Sequence, residues 1–254
     1  MSPGFNMDKF QQVTSKFYPE VLAGGFTSVD GSIDFYSRIN ALLDESKEVL
    51  DFGAGRAAWF EDDPSPYRKA LRLLKGKVKR VVGCDISGAV HENRAVDETV
   101  QTQPGEPLPF KDGEFDLMVS DYTFEHIADP VSVAGEFHRI LKPGGWICAR
   151  TPNKYCYVSI ITRLVKNSLH SRILKYAQPE RKDEDVFPTT FKLNTRRSVA
   201  KYFTSDKFEN YSYMYEAEPV YHFNNRFVYW MFYMANRLTP RVMKTNLYIF
   251  LRKR

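Results

Sequence analysis

The sequence predicts an α/β protein with a doubly wound, mostly parallel sheet of seven strands and helices on both faces. From residue 48 onward, short apolar segments alternate with helical ones, which is typical of parallel strands joined by crossover helices. The glycine-rich and polar motifs all fall at the carboxyl ends of predicted strands, where such sheets bind ligands. The predicted strands are residues 48–52, 79–86, 99–103, 115–121, 146–152, 208–218 and 246–254.

Four regions follow from this pattern. Residues 1–48 form a partly helical N-terminal lead-in, and residues 49–152 form the ligand-binding core. Residues 153–201 are basic and helical, and we expect them to form a cap inserted before the last strands. Residues 202–254 complete the sheet with strands and an aromatic helix. Helical segments are expected over residues 33–48, from 57 onward, near 88–98, over 131–141 and over 227–235.

The bulk composition restricts the function. With 254 residues, of which 43% are hydrophobic, the chain is long enough to bury one α/β core. Its formal charge of +5 is too small to require nucleic acid, but it suits an acidic substrate or an anionic surface. The first dozen residues lack the apolar run of a secretory signal, so we expect a cytoplasmic protein.

The cysteines and histidines indicate neither disulfides nor a metal site. Three cysteines leave one unpaired in any disulfide scheme. Cys84 and Cys148 lie within apolar runs, where a reduced thiol packs as a small hydrophobic group. The five histidines have no metal-ligand spacing with cysteine, so no metal is expected.

A glycine turn follows the first predicted strand. Residues 53–58 read Gly-Ala-Gly-Arg-Ala-Ala and fit the dinucleotide-binding pattern G-x-G-x-x-G/A. Glycines in such a turn let backbone N–H groups approach a ligand without obstruction by Cβ. However, Asp51 stands two residues before the first glycine, where a carboxylate would repel a pyrophosphate but would pair with an ammonium group. The turn alone therefore leaves a dinucleotide and a zwitterionic sulfonium ligand as alternatives.

Residues 51–55, Asp-Phe-Gly-Ala-Gly, resemble motif I (D/E-x-G-x-G) of the class I S-adenosylmethionine-dependent methyltransferases. The likeness is to their methyltransferase type 11-like domains and extends over about residues 48–152. It implies S-adenosylmethionine as the cofactor and a Rossmann-like sheet whose last strand is antiparallel. It also implies that Asp51 pairs with the ammonium group of the cofactor. Ala57 departs from the family, which often has a third glycine at this place.

A second acid, Asp85, lies at the end of the second predicted strand and is followed by Ile86. In the methyltransferase family, an acid at this place accepts hydrogen bonds from both ribose hydroxyls. A dinucleotide fold also uses an acid to bind the ribose. Asp85 lies thirty residues after Gly55, and this spacing does not decide between the two families.

The region of the fourth and fifth predicted strands distinguishes the methyltransferases from the dinucleotide-binding proteins. Residues 105–130 and 139–153 contain an L-P-F segment, a D-G-x-F-D entry into strand four, E-H-I after it and L-K-P-G-G before strand five. This series strongly resembles the methyltransferases, and nicotinamide dehydrogenases do not carry it. Many relatives place an acid for the adenine amino group where this chain has Pro104. Backbone groups around Gly105 and Glu106 are expected to take that role.

The resemblance implies a cofactor site along the carboxyl ends of the strands. Its predicted residues are Asp51, Gly53, Gly55, Asp85, Ile86, Gly105, Glu106, Leu108, Ser120, Asp121 and Tyr122.

Methyl transfer from a sulfonium depends mainly on proximity and orientation, and it needs a base only if the acceptor must lose a proton. Asp121 and His126 are the candidate catalytic residues. His126 has a plainer alternative, a helix-entry histidine hydrogen-bonded to the backbone. Glu125 is expected to favour a helix N-terminus.

The C-terminal part of the chain is expected to determine the acceptor. The basic segment 153–201 and the aromatic segment 221–235 are expected to shape its pocket, with an anionic acceptor as one hypothesis. Segment 227–238 and the terminal Arg252-Lys253-Arg254 are further expected to contact the inner face of a membrane, although the apolar run is too short to span it. The alternatives for these segments are a solvated helix face and core packing.

The predicted function is methyl transfer from S-adenosylmethionine to a small-molecule, glycan-type or lipid-linked acceptor. Two alternatives remain at this point. One is a catalytically inactive S-adenosylmethionine-binding regulatory or scaffold protein, and the other is an NAD-dependent oxidoreductase.

Overall fold

The computed structural model describes residues 9–157, 159–160, 188–219 and 225–254. Most of the predicted cap therefore lies outside the described residues. The helices are α1 (Lys9–Thr14), α2 (Gly31–Asn40), α3 (Trp59–Asp62), α4 (Pro66–Arg72), α5 (Pro130–Ile140), α6 (Arg196–Tyr202) and α7 (Arg226–Leu238). The strands are β1 (Glu48–Phe52), β2 (Arg80–Asp85), β3 (Glu98–Gln101), β4 (Phe115–Asp121), β5 (Leu141–Pro152), β6 (Phe208–Asn210), β7 (Tyr213–Tyr215) and β8 (Asn246–Lys253).

The strands form one sheet in the order β3-β2-β1-β4-β5-β8-β6, and β7 also pairs with β8. Strands β1 to β5 are parallel, and β8 runs antiparallel to β5. The predicted doubly wound, mostly parallel sheet with an antiparallel last strand is confirmed. Because chain order changes direction between β1 and β4, the carboxyl ends of these two strands border the crevice where such sheets bind ligands.

The predicted strand 208–218 is broken into β6 and β7, which pair with opposite ends of β8. The break falls at Tyr211 and Ser212, where the side chain of Asn210 accepts a hydrogen bond from the Ser212 backbone N–H at 2.9 Å. The Ser212 hydroxyl in turn accepts the backbone N–H of Phe250 at 3.3 Å. The Tyr211 N–H still donates to the Phe250 carbonyl at 2.8 Å, but at Ser212 the side-chain contacts interrupt the ladder and divide the edge into two short strands.

Both faces of the sheet carry a hydrophobic core, because successive strand residues point to opposite faces. Val49 packs on the face covered by α2, together with Phe35 and Ile39. Its neighbour Leu50 packs on the face covered by α5 and α6, in a cluster that includes Phe137. The helices thus lie on both sides of the sheet. Helix α6, at the end of the predicted cap region, contributes Val199 to the second face, and Phe203 follows directly after it.

Two predicted helices are shorter than expected. The lead-in helix covers Gly31–Asn40 and not the whole of residues 33–48. Residues 88–98 form a 3-10 turn over Gly88–Glu92, and β3 already begins at Glu98. The amide of Asn93 stops the turn, because it donates to the Gly55 carbonyl at 3.1 Å while its oxygen accepts the Ala95 N–H at 2.9 Å.

The antiparallel direction of β8 separates the two segments that were expected to share a membrane contact. Asn246 pairs with Pro152 at the carboxyl edge of the sheet, whereas Arg252 pairs with Trp146 near the amino edge. The Lys253 ammonium donates to the backbone carbonyl of Leu141 at 2.7 Å. The basic C-terminus therefore lies at the end of the sheet opposite to the segment that follows α7.

The three cysteines are free and buried. Burial raises the pKa of the Cys84 thiol and of the Cys148 thiol well above the ordinary value. Both thiols stay neutral and pack in the core, as their apolar surroundings in the sequence predict.

Candidate functional site

The glycine turn connects β1 to α3 at the carboxyl edge of the sheet. The N–H groups of Gly53 and Ala54 both donate to the Cys84 carbonyl of β2, at 2.8 and 3.1 Å. Gly53 has a φ of +77°, and a Cβ there would lie 2.1 Å from the Thr123 hydroxyl oxygen. No other residue fits, so the first glycine of the motif is required by the contact between the turn and the segment after β4.

Ala57 occupies the third position of the family's glycine pattern with a φ of +53°. An L-residue in this left-handed region is strained because its Cβ approaches the following carbonyl. Ala57 is also buried, so the strain is held in place by packing. The backbone thus has the conformation for which relatives use glycine.

Asp85 lies at the end of β2 against the same turn. Its carboxylate accepts the backbone N–H of Gly55 at 2.9 Å and that of Ser87 at 2.8 Å. These two hydrogen bonds fix the orientation of the carboxylate, and each oxygen retains a second lone pair for a ligand hydroxyl. The next residue, Ile86, exposes 46% of its surface and offers an apolar face beside the acid.

Asp51 is the penultimate residue of β1, on the other side of the turn. Within the described part of the chain, no donor hydrogen-bonds to its carboxyl group. Burial, together with the negative charges of Asp121 and Asp85, raises its pKa to about 7, although Arg72 acts in the opposite direction. The carboxyl group therefore lacks a cation of its own.

Asp121, at the end of β4, forms a buried ion pair with Arg150 of β5. The Arg150 Nη2 donates to Asp121 Oδ2 at 2.9 Å, and its Nε donates to Oδ1, which makes the contact bidentate. Burial alone would raise the pKa of Asp121, but Arg150 and Arg72 outweigh it and hold that pKa below its ordinary value. The carboxylate stays ionised and is poorly suited to take a proton from an acceptor.

Further groups complete this ion pair. The Tyr36 hydroxyl and Arg72 Nη2 donate to Asp121 Oδ2 at 3.1 and 3.2 Å. The Arg150 guanidinium lies 4.9 Å from the centre of the Tyr122 ring, and Arg72 lies 4.4 Å from that of Trp59. Helices α2, α3 and α4 are thereby connected to the carboxyl ends of β4 and β5.

Tyr122 follows this network with a φ of +56° and remains 42% exposed. Its hydroxyl donates to the Asn246 side chain at 3.0 Å, at the start of β8. Ser120 lies two residues earlier, in β4. It is fully buried, and its hydroxyl donates to the Phe52 carbonyl at 2.9 Å. Tyr122 therefore faces solvent at the carboxyl edge of the sheet, called the open edge below, whereas Ser120 connects β4 to β1.

Residues 105–108 lie farther along the loop after β3. Gly105 has a φ of +82°, and the Glu106 N–H donates to the Gln103 carbonyl at 3.3 Å, so this segment forms a turn. The Leu108 N–H donates to Glu136 at 2.8 Å, and its carbonyl accepts from Arg139. The backbone of Leu108 is thus occupied by α5, and a cofactor role for residues 105–108 stays a prediction.

His126 and Glu125 lie in a 3-10 turn after β4. The His126 Nδ1 donates to the Pro188 carbonyl at 3.0 Å, which is the plainer of the two expectations for this residue. Glu125 is buried, and its carboxylate accepts the Thr151 hydroxyl at 2.8 Å, so it does more than favour a helix terminus. No contact places either residue against the glycine turn among the described residues, and the base role of His126 stays a prediction.

Sequence reasoning missed the partners of these acids. Arg150 was detectable, since a charged residue inside the apolar strand WICARTP requires a buried counter-charge. Arg72 and Tyr36 carry no comparable signal, because they come from amphipathic helices that are distant in sequence. Asn93, whose amide holds the carbonyls of the glycine turn, likewise carries none.

The arrangement fits a ligand with an ammonium group and a ribose. A Cβ on Gly55 would meet nothing within 4 Å, so the turn faces open space between the two acids. Asp51 provides an unpaired carboxyl group, and Asp85 provides an oriented carboxylate. The charge of Asp121 is already neutralised by Arg150, so Asp121 serves mainly to hold the ends of β4 and β5 together.

Comparisons with known proteins find methyltransferases. The sequence model of the methyltransferase domain family matches residues 29–222. The chain is 30% identical over 116 residues to demethylmenaquinone methyltransferase of Staphylococcus epidermidis, a match that covers 43% of this chain and 45% of that protein. It is 31% identical over 109 residues to a probable S-adenosylmethionine-dependent methyltransferase of Mycolicibacterium smegmatis, covering 42% of each.

A solved structure shares the fold. Geranyl diphosphate C-methyltransferase of Streptomyces coelicolor, determined with S-adenosyl-L-homocysteine, matches with a TM-score of 0.51 and 13% identity over 99% of this chain and 85% of that one. At this identity the match shows the fold alone. The chain spans less than half the length of the two curated relatives, so their acceptors do not transfer to it.

We expect Ala57→Gly to raise the free energy of unfolding by up to about 1 kcal/mol. Glycine removes about 1–2 kcal/mol of left-handed strain, part of which is offset by its greater freedom in the unfolded chain. Ala58→Gly, next in sequence with a helical φ of −50°, is the matched control and should lower stability by about 0.5–1 kcal/mol. Urea unfolding measures both, and a loss of stability in both variants would contradict strain at Ala57.

We expect Arg150→Met to lower the free energy of unfolding by about 3 kcal/mol, because Asp121 then keeps a buried charge with only Arg72 as its cation. Arg38→Met is the control, since its ion pair with Asp34 is exposed and worth at most about 1 kcal/mol. Adding Asp121→Asn to Arg150→Met should recover part of the loss in urea unfolding. Equal losses at Arg150 and Arg38 would contradict a buried, coupled ion pair.

Proposed function

The chain belongs to the class I S-adenosylmethionine-dependent methyltransferases, and from this premise we propose that it transfers a methyl group to a small-molecule, glycan-type or lipid-linked acceptor. The observation that carries the proposal is the pair of acids on either side of the glycine turn. Asp51 lacks a cation and Asp85 is held by two backbone N–H groups. A dinucleotide would place its pyrophosphate against Asp51, which is unfavourable.

Asp51 would hold the ammonium group of S-adenosylmethionine, and Asp85 would accept hydrogen bonds from the ribose hydroxyls. Ile86 would supply an apolar contact beside the ribose. When bound, the cofactor supplies a methyl group on a sulfonium, which is already activated for displacement. The contribution of this chain is then orientation, together with exclusion of water by the helices above the carboxyl edge.

The Asp121–Arg150 pair acts in this proposal as a positioning element. It fixes the end of β4, from which Tyr122 reaches the open edge. Because Arg150 keeps Asp121 ionised and hydrogen-bonded, an acceptor that must lose a proton would need another base. His126 remains the candidate for such a base.

The open edge beside the cofactor suits an acceptor with a flat or apolar part. Tyr122 and Tyr155 expose 42% and 54% of their surfaces at the ends of β4 and β5. Tyrosine rings combine an apolar face with a hydroxyl, which suits sugar rings and other amphipathic molecules. Of the relatives, the Staphylococcus epidermidis protein is named for a quinone acceptor, which also has a flat ring.

We expect the affinity for S-adenosylhomocysteine to rise about tenfold between pH 6 and pH 8. The pKa of Asp51 is about 7, so its carboxyl group is mostly neutral at pH 6 and mostly ionised at pH 8, and the ionised form binds the ammonium group. Asp51→Asn should bind more weakly and with a flat pH profile in calorimetry. Asp62→Asn, an exposed acid in α3, should keep the wild-type profile. A slope in Asp51→Asn equal to that of the wild type would exclude Asp51 as the titrating group.

We expect label from methyl-labelled S-adenosylmethionine to enter a small-molecule, glycan or lipid fraction of a cell extract when the purified protein is added. Asp85→Ala should bind S-adenosylhomocysteine about tenfold or more weakly, because two hydrogen bonds to a charged group are lost, and should label correspondingly less. Asp62→Ala serves as the control.

Tight binding of S-adenosylhomocysteine with no label in any fraction would refute the proposed activity and support a regulatory cofactor-binding protein. Binding of NAD in preference to S-adenosylhomocysteine would refute the cofactor assignment as well.

A further inference from the structure

Helix α7 is apolar on two opposite faces. Its inner face is packed: Tyr229 is fully buried and stacks on Phe17 with ring centroids 4.8 Å apart. Phe17 also lies 5.3 Å from the ring of Tyr233, and Phe232 stacks on Tyr157 at 5.1 Å. These contacts attach α7 to the turn after α1 and to the segment after β5, so the helix has a defined orientation.

The outer face of α7 is a continuous apolar stripe. Its members, at positions 227, 230, 231, 234 and 238, fall within about 100° of one another around a helix, so they lie on one side. The exposed fractions are 65% for Phe227, 47% for Trp230, 52% for Met231, 37% for Met234 and 79% for Leu238. Single exposed apolar residues are ordinary, but a stripe of five large ones marks an interaction surface.

The turn after α7 extends the stripe. Val242 and Met243, in the 3-10 turn Arg241–Met243, are 69% and 39% exposed. Residue 153 holds this turn in place, because the Asn153 amide donates to the carbonyls of Val242 and Lys244 at 2.9 and 2.8 Å. The exposed surface is therefore rigidly connected to the end of β5.

The segment that carries the stripe has charges of one sign, although Glu216, which follows β7, accepts the backbone N–H of Thr245 at 3.2 Å. Residues 225–245 contain four basic residues, Arg226, Arg237, Arg241 and Lys244, and no aspartate or glutamate. At 100° per residue, Arg226 and Arg237 fall on the same border of the stripe, at opposite ends of α7. An apolar stripe bordered by cations is the pattern of a helix that lies in the plane of a membrane with its apolar side chains among the acyl chains.

We propose that the outer face of α7, with the turn after it, docks on the surface of a membrane that contains anionic phospholipids. The 13 residues of α7 extend about 20 Å, which is too short to cross a bilayer. Among the described residues, no helix is long and apolar enough to span one. A second copy of the chain is a poorer occupant, because a symmetric contact centred on the stripe would bring the arginines of both copies together without an acid from residues 225–245.

Docking through α7 would bring the carboxyl edge of the sheet close to the membrane. The segment after α7 leads directly into Asn246, which accepts the hydroxyl of Tyr122 at 3.0 Å. An acceptor anchored in the same membrane would then enter the edge beside Tyr122. This consequence rests on the proposed function, whereas membrane docking itself does not.

Vesicle sedimentation with the full-length protein tests the proposal. The wild type should sediment with phosphatidylcholine vesicles that contain phosphatidylglycerol, and much less with pure phosphatidylcholine. Leu238→Ser should reduce the bound fraction about tenfold, because the apolar contact of this exposed leucine with the acyl chains is lost. Val131→Ser is the matched control, since Val131 is 69% exposed on α5, away from the stripe, and its removal should change nothing.

Two further measurements test the basic residues beside the stripe and the insertion of Trp230 into the acyl chains. Arg237→Gln and Arg241→Gln should each weaken binding about fivefold at low salt. Phosphatidylcholine–phosphatidylglycerol vesicles with brominated acyl chains should quench the fluorescence of Trp230, and Trp230→Phe should remove that quenching. Calorimetry with S-adenosylhomocysteine should give unchanged affinity in every one of these variants, which separates loss of docking from loss of the cofactor site.

Three outcomes would overturn the proposal. One is failure of the wild type to bind anionic vesicles, and another is equal binding by Leu238→Ser and Val131→Ser. The third is a dimer in sedimentation equilibrium that Leu238→Ser converts to a monomer, which would assign the stripe to a second copy.

Discussion

The buried ion pair between Arg150 and Asp121 is the interaction on which the carboxyl edge of this protein depends. It joins the ends of β4 and β5, and through Tyr36 and Arg72 it also fixes α2 and α4 above them. A buried pair of this kind is stable only while both charges and their hydrogen bonds are in place. The helices over the site and the strands beneath it are therefore held in one arrangement by a single polar cluster.

The same cluster determines the charge that the site presents to a ligand. Three acids, Asp51, Asp85 and Asp121, lie at the carboxyl edge, and the guanidinium groups of Arg72 and Arg150 both donate to Asp121. Arg150 is committed to Asp121, and Asp51 is left with a raised pKa and no hydrogen-bond donor of its own. In the function we propose, the ammonium group of the ligand would supply the positive charge that Asp51 lacks. Selectivity for a zwitterionic cofactor over a pyrophosphate would then follow from this imbalance more than from the glycines, which both ligand classes require.

Much of the core could be predicted from the sequence, because its signals are local. Strands β1, β2, β4 and β8 follow from short apolar runs, and the glycine turn follows from Gly53, whose left-handed φ is typical of such motifs. Where the outcome depends on a distant partner, prediction fails. The helix expected near 88–98 is replaced by a 3-10 turn because Asn93 bonds to the carbonyls of the glycine turn. The bidentate pairing of Asp121, a candidate base by its position, depends on Arg150 from the neighbouring strand.

The broken edge of the sheet has a consequence for the behaviour of the chain in a crowded solution. An unpaired strand edge offers a row of N–H and C=O groups to other chains, and long flat edges promote aggregation. Here one border consists of β6 and β7, three residues each with an interruption at Tyr211 and Ser212, and the opposite border is the four-residue β3. Neither border offers another molecule a ladder of useful length. The fold can therefore keep an open sheet, with its ends free for ligands, while staying protected against edge-to-edge polymerisation.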